Sequence, residues 1–349
     1  QEERSMSHHQ PGPKNLITDV DGITVGNAVD AKVRTGVSVV LPTPRAVAAV
    51  DVRGGGPGSR ETDALNPENL VQEIDAVVLS GGSVYGLDAA SGVVGWLAQQ
   101  GRGFTFASSN KVAPIVPAAI LFDLTNGGDK EWGTTAPYTQ LGVQAVADAA
   151  TTFELGNVGA GYGAQAGTLK GGLGSASVVT NEGLQLGALI AVNPFGSVVV
   201  PGTKNFWAAP FEQSGEFGDA GSPQKMPTPS DDFFHGTKAQ GAGAELVSPG
   251  TNTTIGVIAV NAKLTQTECK RVAMMAHDGL ARAIRPIHTP VDGDTLYVIS
   301  TGTVEVSDAA RPLAIAQLGS LAADVVARAV ARGVYEAASL GELKAYTEV

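Results

Sequence analysis

Apolar residues in this chain are grouped into short runs rich in valine, isoleucine and alanine, which are separated by turns that contain glycine or proline. Runs of about four to eight such residues are typical of strands buried on at least one face. Strands are predicted at 23–26, 36–41, 46–52, 76–79, 175–180, 184–192, 253–260 and 296–300. The pair that flanks the Asn181-Glu182-Gly183 turn is expected to form a hairpin.

Longer segments in which apolar residues recur at helical spacing lie between these strands. Helices are predicted at 87–100, 138–150, 265–285 and 311–338. The third helix begins with a capping pattern at Thr265 and Glu268 that is read as one residue away from the ideal match. The chain after residue 252 thus has the order strand, helix, strand, helix, and these units must pack on the preceding residues to bury their apolar faces.

Loops dense in glycine connect several of these elements, and they allow the backbone to approach other groups closely. Two of them cover 53–63 and 156–174. A third, at 80–88, stands between a strand and a helix as phosphate-binding loops do. It lacks both the Walker sequence and the GxGxxG spacing, so tight packing is the favoured interpretation. Region 206–248 has no clear period and is predicted to be a mobile surface linker or a binding lid.

Composition and charge narrow the class of protein. The 45 glycines and the 43% hydrophobic residues suit a layered α/β fold. Charged residues make up 16% of the chain, below the usual value of about 25%, which favours either buried subunit interfaces or a large core. The net charge of −11 without a basic stripe argues against nucleic acid as a partner. The absence of a run of 18 apolar residues argues against a membrane span.

The ends and the single cysteine give further expectations. Residues 1–15 are expected to form a flexible segment, in which Gln1–Ser5 precede a natural Met6 start. Cys269 alone rules out an internal disulfide. A cytoplasmic location is expected, because the chain fits a reducing compartment, and a cysteine-poor secreted protein would have the same composition.

The strongest candidate for chemistry is Thr253, which follows Asn252 at the first position of a predicted core strand. Cleavage of the bond between them would give Thr253 a hydroxyl nucleophile and a free α-amine on the same residue. An α-amine titrates near about 7.7–8.0 and is therefore partly neutral at physiological pH, where it can accept the hydroxyl proton. A simple turn before the strand, or an N-glycosylation sequence, would have the same residues.

Asp292 and Asp294 flank a glycine directly before the strand at 296–300. An Asp-Gly turn with solvated carboxylates is the plainer interpretation. If the two aspartates lie near Thr253, one carboxylate could bind the new ammonium group and tune its proton affinity. The other could orient the first carboxylate or hold the Thr253 hydroxyl in place.

Three further residues are candidates with plain alternatives. Lys170 is either an exposed lysine or a group that stabilises a developing oxyanion. Asn193 either terminates its strand or donates its amide N–H to an oxyanion. Tyr85 either lines the site or merely packs. The histidines form no Ser/His/Asp order, and neither a GxSxG nor an HExxH motif is present.

Taken together, these segments resemble the L-aminopeptidase/D-amidase-esterase and β-peptidyl aminopeptidase family of self-cleaving N-terminal-nucleophile hydrolases. The resemblance covers nearly the whole chain after residue 15, with its motifs at 252–255, 288–289, 292–296, 81–87, 159–161, 170–172 and 193–194. A threonine nucleophile with two aspartates is similar to the nylon-oligomer hydrolase branch, the 6-aminohexanoate-oligomer endohydrolases. Aminopeptidase relatives carry a serine nucleophile and a Ser/Glu pair, although the spacing from residue 161 to residue 170 is closer to theirs.

The resemblance implies a four-layer αββα sandwich of the α/β class, shared with ornithine acetyltransferases. It implies self-cleavage between Asn252 and Thr253 into a large (α) chain, 16–252, and a small (β) chain, 253–349, which pack as one domain. In the site, it implies that Thr253 is the nucleophile. It gives site roles to the matching residues Asp292, Asp294, Lys170, Asn193 and Tyr85, the last of them in substrate binding.

The mechanism expected is an acyl-enzyme on Thr253 that forms from an amide substrate and is released by water, with no metal or organic cofactor. The substrate expected is a 6-aminohexanoate oligomer, with natural peptides or amides as the alternative. An acyltransferase of the ornithine acetyltransferase type, or a binding protein without catalysis, are the rival functions. The expected partners are a small-molecule or oligomeric amide and the cleaved fragment itself, in a homo-oligomer of two or four processed protomers.

Overall fold

Two β-sheets of unequal width lie at the centre of the computed structural model, which describes residues 9–224, 233–240 and 251–349. The strands are β1 (His9–Gln10), β2 (Ile23–Asp30), β3 (Thr35–Pro42), β4 (Ala46–Val52), β5 (Ser59–Arg60), β6 (Glu73–Ile74), β7 (Val77–Ser80), β8 (Phe104–Thr105), β9 (Val112–Ala113), β10 (Ala118–Ile120), β11 (Gln165–Ala166), β12 (Leu169–Lys170), β13 (Gly172–Thr180), β14 (Gln185–Asn193), β15 (Thr253–Ala262) and β16 (Thr295–Val304). The helices are α1 (Asp88–Gln99), α2 (Tyr138–Ala147), α3 (Gln266–Ala283) and α4 (Arg311–Tyr335).

The wider sheet has seven strands in the order β1-β13-β14-β15-β16-β4-β6. Its central strand, β15, is antiparallel to β14 and parallel to β16, which it reaches through the crossover helix α3. All ten residues of β15 are buried. A continuous apolar strand at the centre of a sheet is expected where both faces of the sheet are covered.

The narrower sheet has five strands in the order β2-β3-β7-β10-β5. It packs face to face on the wider sheet, and the space between them is filled by aliphatic side chains of both, together with Tyr297. The Tyr297 hydroxyl crosses this interface and donates a hydrogen bond to the carbonyl oxygen of Ala118 at 2.9 Å. The two sheets therefore share one internal core.

Helices cover the outer faces of both sheets. Helices α3 and α4 pack on each other and on the wider sheet, while α1 and α2 pack on each other and on the narrower one. Each helix pair encloses its own apolar cluster against its sheet. The order of layers is helix, sheet, sheet, helix, which confirms the four-layer αββα sandwich expected from the sequence.

The alternation of side chains along β15 assigns its residues to two cores. Ile255, Val257 and Ala259 face the narrower sheet. Ile258 and Val260 face the helices. By the same period of two, Thr253 is on the face that points between the sheets.

Two of the long helices carry features that their sequences foreshadow. At the start of α3, the Thr265 hydroxyl accepts from the Glu268 amide, and the Glu268 carboxylate accepts from the Thr265 amide at 2.8 Å. The capping box is therefore complete, and the expected one-residue mismatch is wrong.

Helix α4 is long and apolar enough to cross a membrane, but its most apolar part is 61% buried within the protein, which is typical of a core helix.

Parts of the chain expected to be mobile are packed. In region 206–248, Phe206 and Phe217 are buried against each other, so a mobile linker is wrong for this part, while 225–232 and 241–248 lie outside the described residues. Near the N-terminus, Gly12 donates its amide to Ser177 and Asn15 accepts from the Ser177 amide. Residues 9–15 are thus held against β13, and 1–8 lie outside the described part of the chain.

The interface between the sheets is expected to dominate stability. Leu189 on β14 is fully buried there, so Leu189→Ala should lower the free energy of unfolding by about 2–5 kcal/mol. Leu70 is 88% exposed, and Leu70→Ala is the matched control, with an expected change below about 0.5 kcal/mol. Urea denaturation of both variants measures the difference. Equal losses would contradict the core position of Leu189.

Candidate active site

The ends of four neighbouring strands meet at one edge of the wider sheet. Asn193, the last residue of β14, is directly opposite Thr253, the first residue of β15. Because β15 and β16 are parallel, with Ile255 opposite Thr295, the turn that precedes β16 lies level with Thr253. The pairing of Thr295 with Val52 brings the end of β4 to the same place. Strand register thus gathers groups that are far apart in sequence.

Thr253 lies at the centre of this edge with 1% of its surface exposed. The Thr253 hydroxyl donates to the carbonyl oxygen of Asn252. The same oxygen accepts the backbone N–H of Gly293 at 3.0 Å. Two donors therefore polarise the carbonyl of the peptide bond that precedes Thr253.

Gly293 needs to be glycine for this contact. A β-carbon at this position would lie 2.7 Å from the Thr253 hydroxyl oxygen and 2.8 Å from the carbonyl oxygen of Gly56. Such distances are shorter than van der Waals contact, so any side chain would push the turn away from Thr253. The missing side chain is what lets the Gly293 amide reach the Asn252 carbonyl.

Both aspartates that flank Gly293 are fully buried, and backbone amides hold them. Asp294 accepts from the Thr254 amide at 2.8 Å with one oxygen. Its other oxygen accepts from the His288 amide at 3.0 Å and from the His288 ring at 2.8 Å. The loop that carries them is therefore tied to the second residue of β15.

Asp292 accepts from the Phe195 amide at 3.0 Å, from the Thr289 amide at 3.1 Å and from the Thr289 hydroxyl. Burial and the nearby charge of Asp294 raise the pKa of Asp292. Among the hydrogen bonds of the described residues, neither carboxylate contacts the Thr253 hydroxyl. Their direct effect in this state is to fix the backbone around it, and their catalytic roles stay predictions.

The glycine-rich loop after β4 packs on the 292–294 turn. The Gly56 amide donates to the Asp292 carbonyl at 2.7 Å, and the Arg53 amide donates to the Asp294 carbonyl at 2.9 Å. A β-carbon on Gly54 would collide with the backbone of both aspartates. The close approach expected of this loop is therefore made to the candidate site itself.

Asn193 is held by three partners. Its side-chain oxygen accepts from the Gln165 amide at 2.8 Å and lies 3.2 Å from the Lys238 amine. Its amide nitrogen donates to the Phe122 carbonyl at 3.1 Å. Since two donors face the oxygen, the alternative amide orientation would oppose donor to donor. One of the two N–H groups of this amide is thus engaged with Phe122, and the role of Asn193 at an oxyanion stays a prediction.

Lys238 is a residue of the site that the sequence did not reveal. Its amine lies 3.2 Å from both the side-chain and the backbone oxygen of Asn193, and its own amide donates to Phe195 at 3.0 Å. Burial lowers the pKa of Lys238 to about 7, although the negative charge of Asp292 opposes the shift. No signal marked this residue, because it lies in a segment without apolar period.

Lys170 lies opposite Gln165 in the separate two-stranded β11–β12 sheet, and the Gln165 amide is the one that donates to Asn193. It is fully buried, so the exposed-lysine alternative is wrong. Its amine donates to the carbonyls of Gly161 at 3.1 Å and Gly171 at 2.6 Å. Burial lowers the pKa of Lys170 to about 7, against the charge of Asp123. No hydrogen bond of the described residues joins it to Thr253, so its catalytic role stays a prediction.

Tyr85 is 47% exposed and packs edge-on against Trp132, with ring centres 5.3 Å apart. It is absent from the lining of the cavity that adjoins Asn252, as far as the structure describes the chain. That cavity has a volume of about 370 Å³ and is lined by Asn252, Asn193, Lys238, Gln165, Phe122 and Asp123, among others. The structure therefore brings together Thr253, Asp292, Asp294 and Asn193, with Lys170 nearby and Tyr85 apart from this cavity.

Asp123 is the second group that the sequence did not reveal. It is buried at the cavity, where it accepts from the Thr35 hydroxyl at 2.7 Å and from the Gly82 amide at 2.8 Å. Burial raises its pKa. The irregular stretch around it gave no motif.

Within residues 9–224, 233–240 and 251–349, no group of three or more His, Cys, Asp or Glu side chains is placed to hold a metal ion.

The fold and the relatives define a hydrolase of peptide or amide bonds with the Ntn-hydrolase architecture. The chain belongs to peptidase family S58, whose model matches residues 15–347. It is 43% identical to an uncharacterized aminopeptidase of Mycobacterium bovis, over 96% of this chain and 98% of the relative. It is 26% identical to the 6-aminohexanoate-oligomer endohydrolase of a Kocuria species, over 84% and 77% of the two chains.

Solved structures support the fold. The L-aminopeptidase D-Ala-esterase/amidase of Ochrobactrum anthropi, described as a variant of the Ntn-hydrolase fold, superposes with a TM-score of 0.67 at 22% identity. The match covers 94% of this chain and 87% of the other. The resemblance noted in the sequence is thus confirmed at the level of the family. The relative with higher identity carries an aminopeptidase name, and the nylon-oligomer hydrolases are more distant.

The buried amine of Lys170 should make the free energy of unfolding depend on pH. Its pKa of about 7 in the fold is below the value of about 10.4 in an unfolded chain. Between these values the unfolded state binds a proton that the folded state does not, so stability rises with pH by up to about 1.4 kcal/mol per unit. Lys238 adds a similar contribution.

We expect Lys170→Met to reduce this rise between pH 7 and 10, measured by urea denaturation at each unit of pH. The exposed Lys111→Met is the control for the loss of one positive charge. An unchanged slope in Lys170→Met, or an equal reduction in both variants, would show that burial of the Lys170 amine does not shift its titration.

Proposed function

We propose that this chain is a self-processing N-terminal-nucleophile amide hydrolase that cleaves its own Asn252–Thr253 bond and then uses Thr253 on its substrates. One observation carries the proposal. The carbonyl oxygen of Asn252 accepts from both the Thr253 hydroxyl and the Gly293 amide, so the bond before the nucleophile is polarised beside the group that would attack it.

Self-cleavage is proposed to begin with an N→O acyl shift. The Thr253 oxygen forms a bond to the carbonyl carbon of Asn252, and the negative charge on the carbonyl oxygen is stabilised by the Gly293 N–H. The carbon–nitrogen bond then breaks, and the nitrogen leaves as the amine of Thr253 with the proton from the hydroxyl. Water hydrolyses the resulting ester, which gives the Asn252 carboxylate and a free hydroxyl.

Turnover is proposed to follow the same path with an external amide. The free α-amine of Thr253 accepts the hydroxyl proton, and the oxygen attacks the substrate carbonyl. Gly293 and Asn193 are the groups proposed to stabilise the oxyanion, once the Asn252 carbonyl has left its place. The α-ammonium protonates the departing amine, and water releases the acyl group. Asp292 and Asp294 hold the turn that carries the Gly293 donor.

A matched pair of variants tests the nucleophile. Thr253→Val keeps the β-branched shape and removes the hydroxyl, so it should remain a single chain, with activity reduced by roughly 10³-fold or more. Thr254→Val is the control, because the Thr254 hydroxyl is buried without a hydrogen-bond partner among the described residues. It should process normally. Denaturing electrophoresis and the mass of a fragment that begins at Thr253 report the outcome, and processing of Thr253→Val would overturn the proposal.

The substrate proposed is an amide whose acyl part carries a free amino group and fits the cavity beside Asn252. The carboxylate of Asp123 at this cavity is suited to an ammonium group. Oligomers of 6-aminohexanoate meet this description, and so do the N-terminal residues of peptides. The aminopeptidase name of the relative at 43% identity favours peptides, while the threonine and the two aspartates favour the nylon-oligomer branch. We propose that the enzyme acts in the cytoplasm as a homo-oligomer.

Substrate assays with paired compounds distinguish these possibilities. Aminohexanoate oligomers, β-peptides and α-amino-acid amides would each be tested with the amino group free and acetylated. If Asp123 binds the ammonium group, acetylation should lower kcat/KM by about 10-fold or more, and Asp123→Asn should lower it for the free amines alone. Equal rates for both forms would exclude recognition of the amino group and indicate endo-type cleavage.

A further inference from the structure

His288 has a backbone conformation that side chains rarely adopt. Its φ is 56°, in the left-handed region, where residues other than glycine are held only when their surroundings determine them. This conformation points both the amide and the ring nitrogen Nδ1 of His288 at the same oxygen of Asp294, at 3.0 Å and 2.8 Å. The unusual backbone therefore serves one carboxylate.

The two oxygens of Asp294 join the His288 loop to β15. One oxygen takes both His288 donors, and the other takes the Thr254 amide at 2.8 Å. Thr254 follows the proposed nucleophile, and Asp294 follows Gly293, whose amide contacts the Asn252 carbonyl. The position of this carboxylate thus sets the separation between Thr253 and the Gly293 donor.

The surroundings of the His288 ring are defined. Its centre lies 5.0 Å from the ring of His277, which packs edge-on. His277 lies 3.0 Å from the Asp51 carbonyl, and the Asp51 carboxylate is paired with Arg53 and Lys270. Burial lowers the pKa of His277 to about 4, so it is neutral at pH 7. Of the titratable groups around His288, Asp294 alone hydrogen-bonds to it among the described residues.

We propose that His288 is a positioning residue for self-cleavage and turnover, which clamps Asp294 and thereby holds the Gly293 amide against the carbonyl that Thr253 attacks. The inference rests on the proposed function of Thr253. It assigns a role to a histidine that lacks any place in a Ser/His/Asp arrangement. The side chain acts through Asp294 and does not touch the reacting atoms.

Three variants of His288 separate the effect of its side-chain hydrogen bond from the effect of its backbone conformation, and two of them, asparagine and aspartate, have nearly the same shape. Asparagine and aspartate both tolerate the left-handed region, but only the asparagine side chain can donate to Asp294. Glycine tolerates the backbone and lacks a side-chain donor, while its backbone amide can still donate to Asp294. We expect His288→Asn to process within about 3-fold of the wild-type rate, whereas His288→Asp and His288→Gly process about 10- to 100-fold more slowly, as expected for loss of a charge-assisted hydrogen bond.

The measurement is the fraction of intact chain with time after synthesis in a cell-free system. His235→Asn, an exposed histidine outside the loop, is the control and should process at the wild-type rate. For processed protein, kcat should fall in the aspartate and glycine variants while KM is unchanged, because the clamp sets the separation between Thr253 and the Gly293 donor and does not act on substrate binding. A general loss of packing would instead affect the asparagine variant as well.

Each outcome decides a separate question. Wild-type processing by His288→Gly, or equal rates for the asparagine and aspartate variants, would overturn the role of His288 and leave Thr253 in place. If His288→Gly does not fold, the comparison of asparagine with aspartate still decides, since these side chains have nearly the same shape. Cleavage of Thr253→Val would overturn the proposed function itself.

Discussion

The register of β15 between β14 and β16 is the constraint on which the site depends. It places Asn193 opposite Thr253 and brings the turn before β16 level with both. A shift by one residue would turn Thr253 from the space between the sheets to the helix side and move Ile255 out of its core. The apolar alternation that stabilises the sandwich therefore also fixes the orientation of the nucleophile candidate. Packing and chemistry are determined by the same set of side chains.

Buried charge is organised around backbone amides. Asp292 and Asp294 are adjacent in space, and each accepts at least two backbone N–H groups. Such bonds offset part of the free-energy cost of burying two carboxylates close together. Through them, the two carboxylates also link three segments of the chain to one another. Removal of either carboxylate would release donors from Phe195, Thr289, Thr254 or His288, so its effect on catalysis includes the loss of this framework.

Much of the fold could be predicted from the sequence, because long strands carry a clear period. The run that forms β15 and the hairpin of β13 and β14 are long, apolar and bounded by turn residues. Strands of two or three residues, such as β5 and β10, contain too few positions to show alternation. The four-layer arrangement came from resemblance to a family and not from periodicity.

The site was predictable where chemistry and spacing coincide, as for Thr253 and the Asp-Gly-Asp turn. Lys238 and Asp123 were missed, since both belong to irregular segments whose paths depend on tertiary contacts. The contact of Asn193 with Phe122 depends on donors from Gln165 and Lys238, and no local pattern encodes such a network. The left-handed backbone of His288 could not be predicted either, because no pattern in the adjacent sequence indicates it.

The position of Thr253 has a consequence for a chain that is cut before it. The part from 253 onward contributes β15, α3, β16 and α4, and its two strands lie between β14 and β4 of the other part. Each fragment would contain an incomplete sheet with open edges, so neither could keep its core alone. Folding that was unimolecular in the uncut chain would become a bimolecular reassembly. The cut protein would then be kinetically stable, because its fragments stay together only as long as unfolding is slow. Once the two fragments separate at low concentration, their reassembly would be slow.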